Sequence, residues 1–266
     1  MSDRLAGKVA IVVGAGQTPG DRIGNGRATA ILFAREGARV VAVDRRLDSA
    51  EETVGQIVGE GGEAVAVEAD ATSEPECERL MSGVVERWGR IDVLHNNVGV
   101  GGADAGPAHV IESEWDRILA VNLKSVIFPC KYVLPVMREQ QDGSIINISS
   151  IAAVCSAPIV AYKTSKAGIN AYTQSLALGN ASYGIRANVI MPGLMNTPMA
   201  IEGISKGLGI PKEELIRQRD AQVPLRKKMG TAWDVAWAAV FLACDESRFV
   251  TGVALPVDGG QSARIG

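Results

Sequence analysis

A tyrosine and a lysine four residues apart, Tyr162 and Lys166, form the pair of side chains in this sequence best suited to proton transfer. On a helix, residues at positions i and i+4 share one face, so the ammonium group lies one turn from the phenol. The pKa of a free tyrosine is about 10, and a neighbouring ammonium favours the phenolate and lowers that pKa. The pair therefore predicts a general acid–base group, which works best when its pKa is near the working pH.

Two serines stand where a substrate oxygen could be held. Ser149 and Ser150 directly follow the apolar run 144–148, which predicts a strand, and they precede the Tyr162 helix. In an open α/β sheet, the carboxyl ends of the strands face the crevice in which ligands bind. We therefore expect the Ser150 hydroxyl to bond the oxygen that Tyr162 protonates or deprotonates, with Ser149 as the alternative.

The stretch GAGQTPGDRIGNG, which begins at Gly14, lies between a predicted strand and an alanine-rich helix. Gly14 and Gly16 would allow a tight turn, and Gly24-Asn25-Gly26 would allow the helix to start close to the strand. We expect free backbone N–H groups at this helix start, and together with the helix dipole they attract an anion. The stretch predicts a pyrophosphate site, and a flexible turn without a ligand is the alternative.

An acidic residue, Asp44, ends the second predicted strand, and Arg45 and Arg46 follow it. A carboxylate at this place in a dinucleotide-binding fold accepts hydrogen bonds from ribose hydroxyls and repels a 2′-phosphate. The two arginines could offset that repulsion, and a solvated loop acid is the alternative. We expect NAD rather than NADP as the cofactor.

Short apolar runs rich in Val and Ile alternate with longer helical stretches, as in parallel sheets whose two faces are both covered. The seven predicted strands span residues 8–13, 39–43, 64–68, 92–95, 144–148, 186–190 and 253–257. The six predicted helices span residues 26–36, 47–60, 74–88, 112–139, 162–183 and 231–245. The alternation predicts one doubly wound α/β domain over residues 1–266, with a substrate-lobe insertion at about 194–225.

The composition narrows the class of protein. Of the 266 residues, 47% are hydrophobic and 21% are charged, the formal net charge is −3, and no basic block is present. These values argue against nucleic acid or a membrane surface as a partner. We expect no apolar stretch that reaches the length of a membrane-spanning helix, and no signal peptide. The 4 scattered cysteines predict reduced thiols in a cytoplasmic protein, and no metal site is expected.

With these residues the chain resembles the short-chain dehydrogenase/reductase family over nearly its whole length. The motifs that carry the resemblance are the glycine loop, Asp70-Ala71, Asn96-Asn97-Val98-Gly99, Asn122 in VNLKS, Ser150, Tyr162-x-x-x-Lys166, Pro192-Gly193 with Thr197, and the terminal TGVALPVDGG. The resemblance implies a Rossmann-like doubly wound parallel sheet of seven strands in the order 3-2-1-4-5-6-7, with helices on both faces. It also implies reversible hydride transfer between a nicotinamide and a carbonyl or secondary alcohol, in a homotetramer or homodimer.

The same resemblance implies a role for each site residue. Tyr162 would be the acid–base, Lys166 would lower its pKa and hold the nicotinamide ribose, and Ser150 would orient the substrate oxygen. Asn122 would hold a water that links Lys166 to solvent. The other implied cofactor contacts are Asp70 to the adenine amino group, Ala71 to the ring, Asn97 to the adenosine ribose, and Met195 and Thr197 to the carboxamide.

Among the departures from the family pattern, two concern the glycine loop and the fourth strand. Nine residues separate Gly14 from Gly24, where the family usually has three, so Gln17 to Arg22 is predicted to form a flap over the pyrophosphate. The residues of the flap that would contact phosphate are not fixed by the pattern. His95 stands where an apolar residue is usual, and we expect a partly buried histidine with its hydrogen bonds satisfied.

Two other functions stay open beside an NAD-dependent dehydrogenase or reductase of a small ketone or secondary alcohol. The first is a 3-oxoacyl-[acyl-carrier-protein] reductase, although Gln141 and Tyr183 stand where such reductases tend to carry basic residues. The second is a cofactor-binding regulator without turnover, against which the complete catalytic set argues. The largely apolar insertion favours a small, uncharged or weakly polar substrate, unless its apolar residues merely pack the lobe.

Overall fold

Near-continuous runs of valine, isoleucine and alanine form the strands of one parallel sheet. The structure is a computed structural model, and it describes residues 3–155 and 158–264. The strands are β1 (Val9–Val13), β2 (Arg39–Asp44), β3 (Ala64–Glu68), β4 (Val93–Asn96), β5 (Gly143–Ile148), β6 (Ile185–Pro192) and β7 (Ala254–Val257). Their order is 3-2-1-4-5-6-7 with every neighbouring pair parallel, which confirms the predicted sheet.

Helices connect these strands and cover both faces of the sheet. They are α1 (Asn25–Arg35), α2 (Leu47–Gly59), α3 (Glu74–Trp88), α4 (Glu112–Gln140), α5 (Val160–Asn180), α6 (Pro198–Leu208), α7 (Lys212–Gln222) and α8 (Ala232–Ala243). All six predicted helices are present, with ends that differ from the predicted ends by a few residues. The insertion between β6 and α8 supplies the two additional helices, α6 and α7.

Two apolar layers hold the helices on opposite faces of the sheet. Phe33 of α1 and Val240 of α8 are fully buried in one layer, together with Ile146 of β5. Val133 of α4 and Ile169 of α5 are fully buried in the other layer. Burying one such side chain stabilises the fold by roughly 1.5–3 kcal/mol, and strands covered on both faces must be apolar on both.

The insertion at 194–225 has a small apolar core of its own. Ile201 of α6 and Leu215 of α7 are buried there against each other's helix. Met199 and Leu208 remain exposed, over 53% and 64% of their surface. Because several apolar residues of the insertion pack inside it, its composition gives weaker support for an apolar substrate than the sequence suggested.

Helix α4 corrects an expectation drawn from the sequence. It has 29 residues, and an 18-residue window within it has a mean hydropathy of 1.3, so by length and composition alone it could cross a membrane. The expectation that no stretch reaches this length is therefore wrong for α4. Its buried residues, Val126, Cys130 and Val133 among them, pack against the sheet and neighbouring helices, which explains their apolar character.

His95 in β4 also differs from its expected state. The side chain is fully buried, and neither ring nitrogen has a hydrogen-bond partner among the residues that the structure describes. Its ring meets the edge of the Phe33 ring at a centroid distance of 6.0 Å. The expectation of a partly buried, hydrogen-bonded histidine is wrong, because an apolar layer surrounds this position of the central strand.

The carboxyl ends of the parallel strands meet at one edge of the sheet. The glycine turn follows β1, Asp44 ends β2, and Ser150 follows β5 by one residue. Helix α5, which carries Tyr162, starts from the same edge, as does the insertion after β6. Open α/β sheets bind their ligands at this edge, so the fold brings the predicted site residues to one side of the molecule.

Candidate active site

Tyr162 is the third residue of α5 and lies in its first turn. Burial raises the pKa of Tyr162 above its ordinary value, and the neighbouring Ser150 hydroxyl lowers it by a smaller amount. The structure thus brings together the two hydroxyls that the sequence predicts at the substrate oxygen.

Lys166 lies one turn further along α5 and is only 2% exposed. Its Nζ lies 5.6 Å from the centroid of the Tyr162 ring and donates a hydrogen bond of 3.0 Å to the Ile148 carbonyl. Burial lowers the pKa of Lys166 to about 8. The sequence predicted that this ammonium would bring the phenol pKa below its ordinary value. That expectation is corrected here, because the burial of Tyr162 has the larger effect on its pKa.

The two serines after β5 have different roles. Ser149 is buried, and its hydroxyl donates to the Lys166 carbonyl at 2.9 Å, which ties the end of β5 to α5. The Ser150 hydroxyl accepts from the Ala152 N–H at 3.1 Å and is the one that reaches Tyr162. Ser150 rather than Ser149 is therefore placed to bond a substrate oxygen.

Asn122 of α4 is fully buried, and its side-chain amide fixes the loop that follows β4. Its Oδ1 accepts from the Val100 N–H at 2.7 Å, and its Nδ2 donates to the Val100 carbonyl at 3.0 Å and to Ser165 Oγ at 2.9 Å. Lys166 lies beside this loop, since a Cβ on Gly99 would stand 3.0 Å from its Nζ. The Asn122 amide thus supports the backbone next to Lys166 and makes no direct hydrogen bond with it.

The turn after β1 requires glycine at two positions, Gly14 and Gly26. Gly14 has φ +81°, a left-handed conformation that suits glycine. A Cβ on Gly26 would lie 1.9 Å from the Gly14 carbonyl oxygen, so the start of α1 packs directly on the turn. Asn97 secures the same carbonyl with a hydrogen bond of 3.1 Å from its Nδ2, which gives its side chain a structural role.

The backbone N–H groups of the turn are not all free, which corrects one expectation. The N–H of Gly16 donates to Asp44 at 3.1 Å, and the N–H of Gly24 donates to Gln17 Oε1 at 3.0 Å. Within the described ranges, the next N–H groups, of Asn25 and Gly26, have no acceptor, and the Asn25 Oδ1 is a buried atom without a partner. A helix start with unpaired N–H groups fits the pyrophosphate of a dinucleotide.

The inserted segment from Gln17 to Arg22 closes on itself. Besides the bond to Gly24, the Gln17 side chain donates to the Arg22 carbonyl at 3.2 Å. The Arg22 guanidinium lies 3.7 Å from Glu202 Oε1 of α6, and Lys212 of α7 also pairs with Glu202. This segment, which we call the flap, therefore contacts the insertion lobe, and its arginine faces a carboxylate of that lobe.

Asp44 is held between the glycine turn and the start of α2. Its Oδ2 accepts from Gly16, and its Oδ1 accepts from the Arg46 N–H at 3.1 Å. The Arg46 guanidinium donates to the Gln17 carbonyl at 2.8 Å. One of the two arginines that could offset the charge of Asp44 is therefore engaged with the flap.

The remaining predicted contacts lie after β3 and β6. Asp70 Oδ1 accepts from the backbone and the hydroxyl of Thr72, at 2.8 and 2.7 Å, and Ala71 is 6% exposed. Met195 is buried and forms a parallel β-bridge with Gly230, two residues before α8, and Thr197 directly precedes α6. These residues share the ligand edge with the turn and Tyr162, because each follows the carboxyl end of a strand.

Sequence reasoning missed one residue at this site, Asp104. Its carboxylate accepts hydrogen bonds from the first backbone N–H groups of α5, the nearest being that of Tyr162 at 2.8 Å. Nothing in the surrounding sequence GGADAGP marks this aspartate. The available signal was indirect: the residue before α5, Ile159, has no side-chain acceptor with which to cap the helix.

Comparisons with known proteins agree with this fold. A family model described as enoyl-(acyl carrier protein) reductase matches residues 21–262. The chain is 34% identical over 266 residues to 2,5-dichloro-2,5-cyclohexadiene-1,4-diol dehydrogenase LinX of Sphingobium indicum, covering 100% of both. It is 35% identical to 3-oxoacyl-[acyl-carrier-protein] reductase FabG of Thermotoga maritima, covering 97% of this chain and 98% of that protein. A crystal structure described as a short-chain dehydrogenase/reductase from Burkholderia xenovorans is 44% identical, with 99% of both chains covered and a TM-score of 0.93.

The chain therefore belongs to the short-chain dehydrogenase/reductase family. It is an oxidoreductase of that type, and its family implies a nicotinamide cofactor, NAD or NADP.

Proposed function

We propose that this oxidoreductase transfers a hydride reversibly between NAD(H) and a small ketone or secondary alcohol. The observation that carries the proposal is the placement of Ser150 and Lys166 around Tyr162 at the carboxyl edge of the sheet. The three side chains supply a proton, a second hydrogen bond to the same oxygen, and a positive charge beside the phenol. This set suits the interconversion of a carbonyl and an alcohol.

In this proposal, Tyr162 gives its phenolic proton to the carbonyl oxygen during reduction and takes it back during oxidation. Ser150 donates a hydrogen bond to that oxygen and holds it at the phenol. Lys166, whose pKa is lowered to about 8, still carries its charge at neutral pH and favours the phenolate that remains. When bound, the nicotinamide cofactor supplies or accepts the hydride.

The residues proposed to hold the cofactor follow the strand ends from β1 to β6. The unpaired N–H groups of Asn25 and Gly26 face the pyrophosphate, and Asp44 accepts from the ribose hydroxyls of NAD. Asn122 is proposed to support the proton path from Lys166 to solvent. The other proposed contacts are Gly14, Gly16, Gly24, Asp70, Ala71, Asn97, Met195, Thr197, Tyr162 and Lys166.

The proposal extends to the state of the protein in the cell. We propose a single domain over residues 1–266 that works in the cytoplasm as a homotetramer or homodimer. Large exposed apolar side chains on two helical layers support self-association: Leu178 of α5 is 84% exposed and Phe249, after α8, is fully exposed.

A 3-oxoacyl-[acyl-carrier-protein] reductase is the second candidate. The 35% identity to the Thermotoga maritima reductase favours it. Arg138 also bears on it, because its guanidinium stacks on Tyr183 at 5.1 Å from the ring centroid and so places one cation where such reductases tend to carry basic residues. A carrier protein is acidic and would need a cation free to pair, whereas Arg138 is also bonded to Asn180.

A turnover assay with two classes of carbonyl substrate tests the proposal. We expect NADH oxidation with members of a panel of small ketones, and NAD reduction with the matching secondary alcohols. Turnover restricted to a 3-oxoacyl thioester of pantetheine or of carrier protein would favour the second candidate. Quenching of NADH fluorescence by the protein without turnover on either class would contradict both.

A further inference from the structure

The helix that carries Tyr162 begins without a capping side chain from its own sequence. The residue before its first turn is Ile159, which has no polar side-chain atom. The first N–H groups of an α-helix have no partner within the helix, and a nearby carboxylate, amide or hydroxyl oxygen usually accepts from them. In α5 the acceptor comes from a distant part of the chain.

Asp104, in the loop between β4 and α4, supplies both of its carboxylate oxygens to α5. Its Oδ1 accepts from the N–H groups of Val160 and Ala161, at 3.1 Å each, and its Oδ2 accepts from the N–H of Tyr162 at 2.8 Å. The carbonyl of Ala105 accepts a further bond from Val160 at 3.2 Å. The negative charge also complements the positive end of the helix dipole.

The other end of the same loop is fixed next to the lysine of the site. Asn122 bonds both backbone groups of Val100, and Gly99 packs against Lys166. We call residues 99–105 the strap, since they join the neighbourhood of Lys166 to the first turn of α5. The strap thus contacts both members of the Tyr–Lys pair from outside their helix.

We propose that Asp104 is a positioning residue for the reaction, because it fixes the first turn of α5 and thereby the Tyr162 hydroxyl relative to Ser150. The inference rests on the proposed role of Tyr162 as the acid–base. Without the carboxylate, the N–H groups of Ala161 and Tyr162 lose their acceptor and that of Val160 keeps only the Ala105 carbonyl. The first turn can then move, while β1 and the glycine turn keep their contacts. A displacement of about 1 Å at a reacting group lowers a rate roughly a hundredfold.

The test compares Asp104→Ala and Asp104→Asn with a matched control, Asp92→Asn. Asp92 is also a carboxylate that accepts a backbone N–H, from Val9 at 2.8 Å, but it lies at the opposite edge of the sheet. We expect Asp104→Ala to lower kcat about tenfold to a hundredfold while the NADH dissociation constant stays within about twofold of wild type. Asp104→Asn keeps one acceptor oxygen and should give an intermediate kcat. Asp92→Asn should lower the thermal midpoint without lowering kcat.

A wild-type kcat in Asp104→Ala contradicts the inference, and so does a loss of NADH binding as large as the loss of kcat. If Asp104→Ala does not fold, the test rests on Asp104→Asn. A kcat of Asp104→Asn equal to that of Asp92→Asn would then overturn the positioning role of Asp104. Tyr162→Phe is assayed beside them. If Tyr162→Phe keeps its turnover, the proposed function fails; if it is inactive and the Asp104 variants are not impaired, only the strap inference fails.

Discussion

Asp44 is the side chain that we expect to decide between the two nicotinamide cofactors. Its carboxylate stays beside the glycine turn through its bond with Gly16, and the Arg46 guanidinium is engaged by Gln17. We predict a higher kcat/KM with NAD than with NADP. Asp44→Asn retains an oxygen that can accept from the Gly16 N–H but removes the charge that repels a 2′-phosphate. It should therefore lower the ratio of kcat/KM with NAD to kcat/KM with NADP by about tenfold or more. A wild-type preference for NADP would show that an arginine, Arg45 or Arg46, outweighs Asp44.

His95 is a second residue whose environment has a measurable consequence. Burial lowers the pKa of His95 from 6.5 to about 3 in the folded protein. Below pH 6.5 the unfolded chain therefore binds a proton at this position that the folded protein does not bind. The free energy of unfolding should fall as the pH drops from 6.5 toward 3, by up to about 1.4 kcal/mol per pH unit.

We predict that His95→Leu removes this acid sensitivity. It also replaces two unpaired ring nitrogens with apolar atoms, so the variant should be more stable than wild type at neutral pH as well. Urea unfolding at pH 7.5 and pH 5 should show the advantage of the variant growing by about 2 kcal/mol at the lower pH. The exposed His109 provides the control, and His109→Gln should leave the pH dependence unchanged. An advantage for His95→Leu that does not change with pH would be contrary to this account.

At the scale of elements, the flap from Gln17 to Arg22 joins the glycine turn to the insertion lobe. The start of α1 keeps its unpaired N–H groups whether or not the flap is present, and Pro19 has no N–H to offer an anion. We predict that deleting Thr18 to Arg22 leaves a folded protein that binds NADH more weakly by about 1–2 kcal/mol, because the Arg22 guanidinium is lost as a charge-assisted hydrogen-bond donor to a phosphate. The point variant Arg22→Gln keeps the loop but removes the pairing with Glu202. It separates the contribution of the Arg22 charge to NADH binding from that of the rest of the flap. Loss of all NADH binding with an unchanged circular dichroism spectrum would mean that the flap itself forms the phosphate site.

The elements themselves were largely predictable, because parallel strands covered on both faces leave short apolar runs rich in Val and Ile, and these alternate with longer helical stretches. The edge of the sheet and the positions of Tyr162, Lys166 and Ser150 follow from those runs and from local spacing. The structure corrected or added those hydrogen bonds whose partners are not neighbours in the sequence. The Gly24 N–H donates to a glutamine that the extended loop folds back, and Asp104 caps a helix more than fifty residues away. Contacts of this kind have no periodicity and no local motif.

At the scale of the whole molecule, apolar side chains are exposed on both helical layers. Leu178 lies on α5, in the layer with α4, whereas Trp237 of α8 is 49% exposed and Phe249 is fully exposed on the other side of the sheet. Two separate self-complementary faces are what a tetramer with three two-fold axes requires. We predict that Leu178→Glu or Phe249→Glu alone reduces the mass measured by light scattering to that of a dimer, and that the two together give a monomer. A wild-type protein that is monomeric at micromolar concentration would contradict this prediction.

The central claim is that the Tyr162 hydroxyl carries the proton of the reaction, and Tyr162→Phe tests it most directly. The substitution removes one oxygen and keeps the ring, so the packing of α5 and the glycine turn should not change. Two quantities are measured on this variant. The kcat with a ketone that the wild-type protein reduces should fall by roughly 10²–10⁴-fold, while the NADH dissociation constant stays at its wild-type value. Retention of more than about a tenth of the wild-type kcat would contradict the claim, because general acid–base catalysis by this residue could not then account for the reaction.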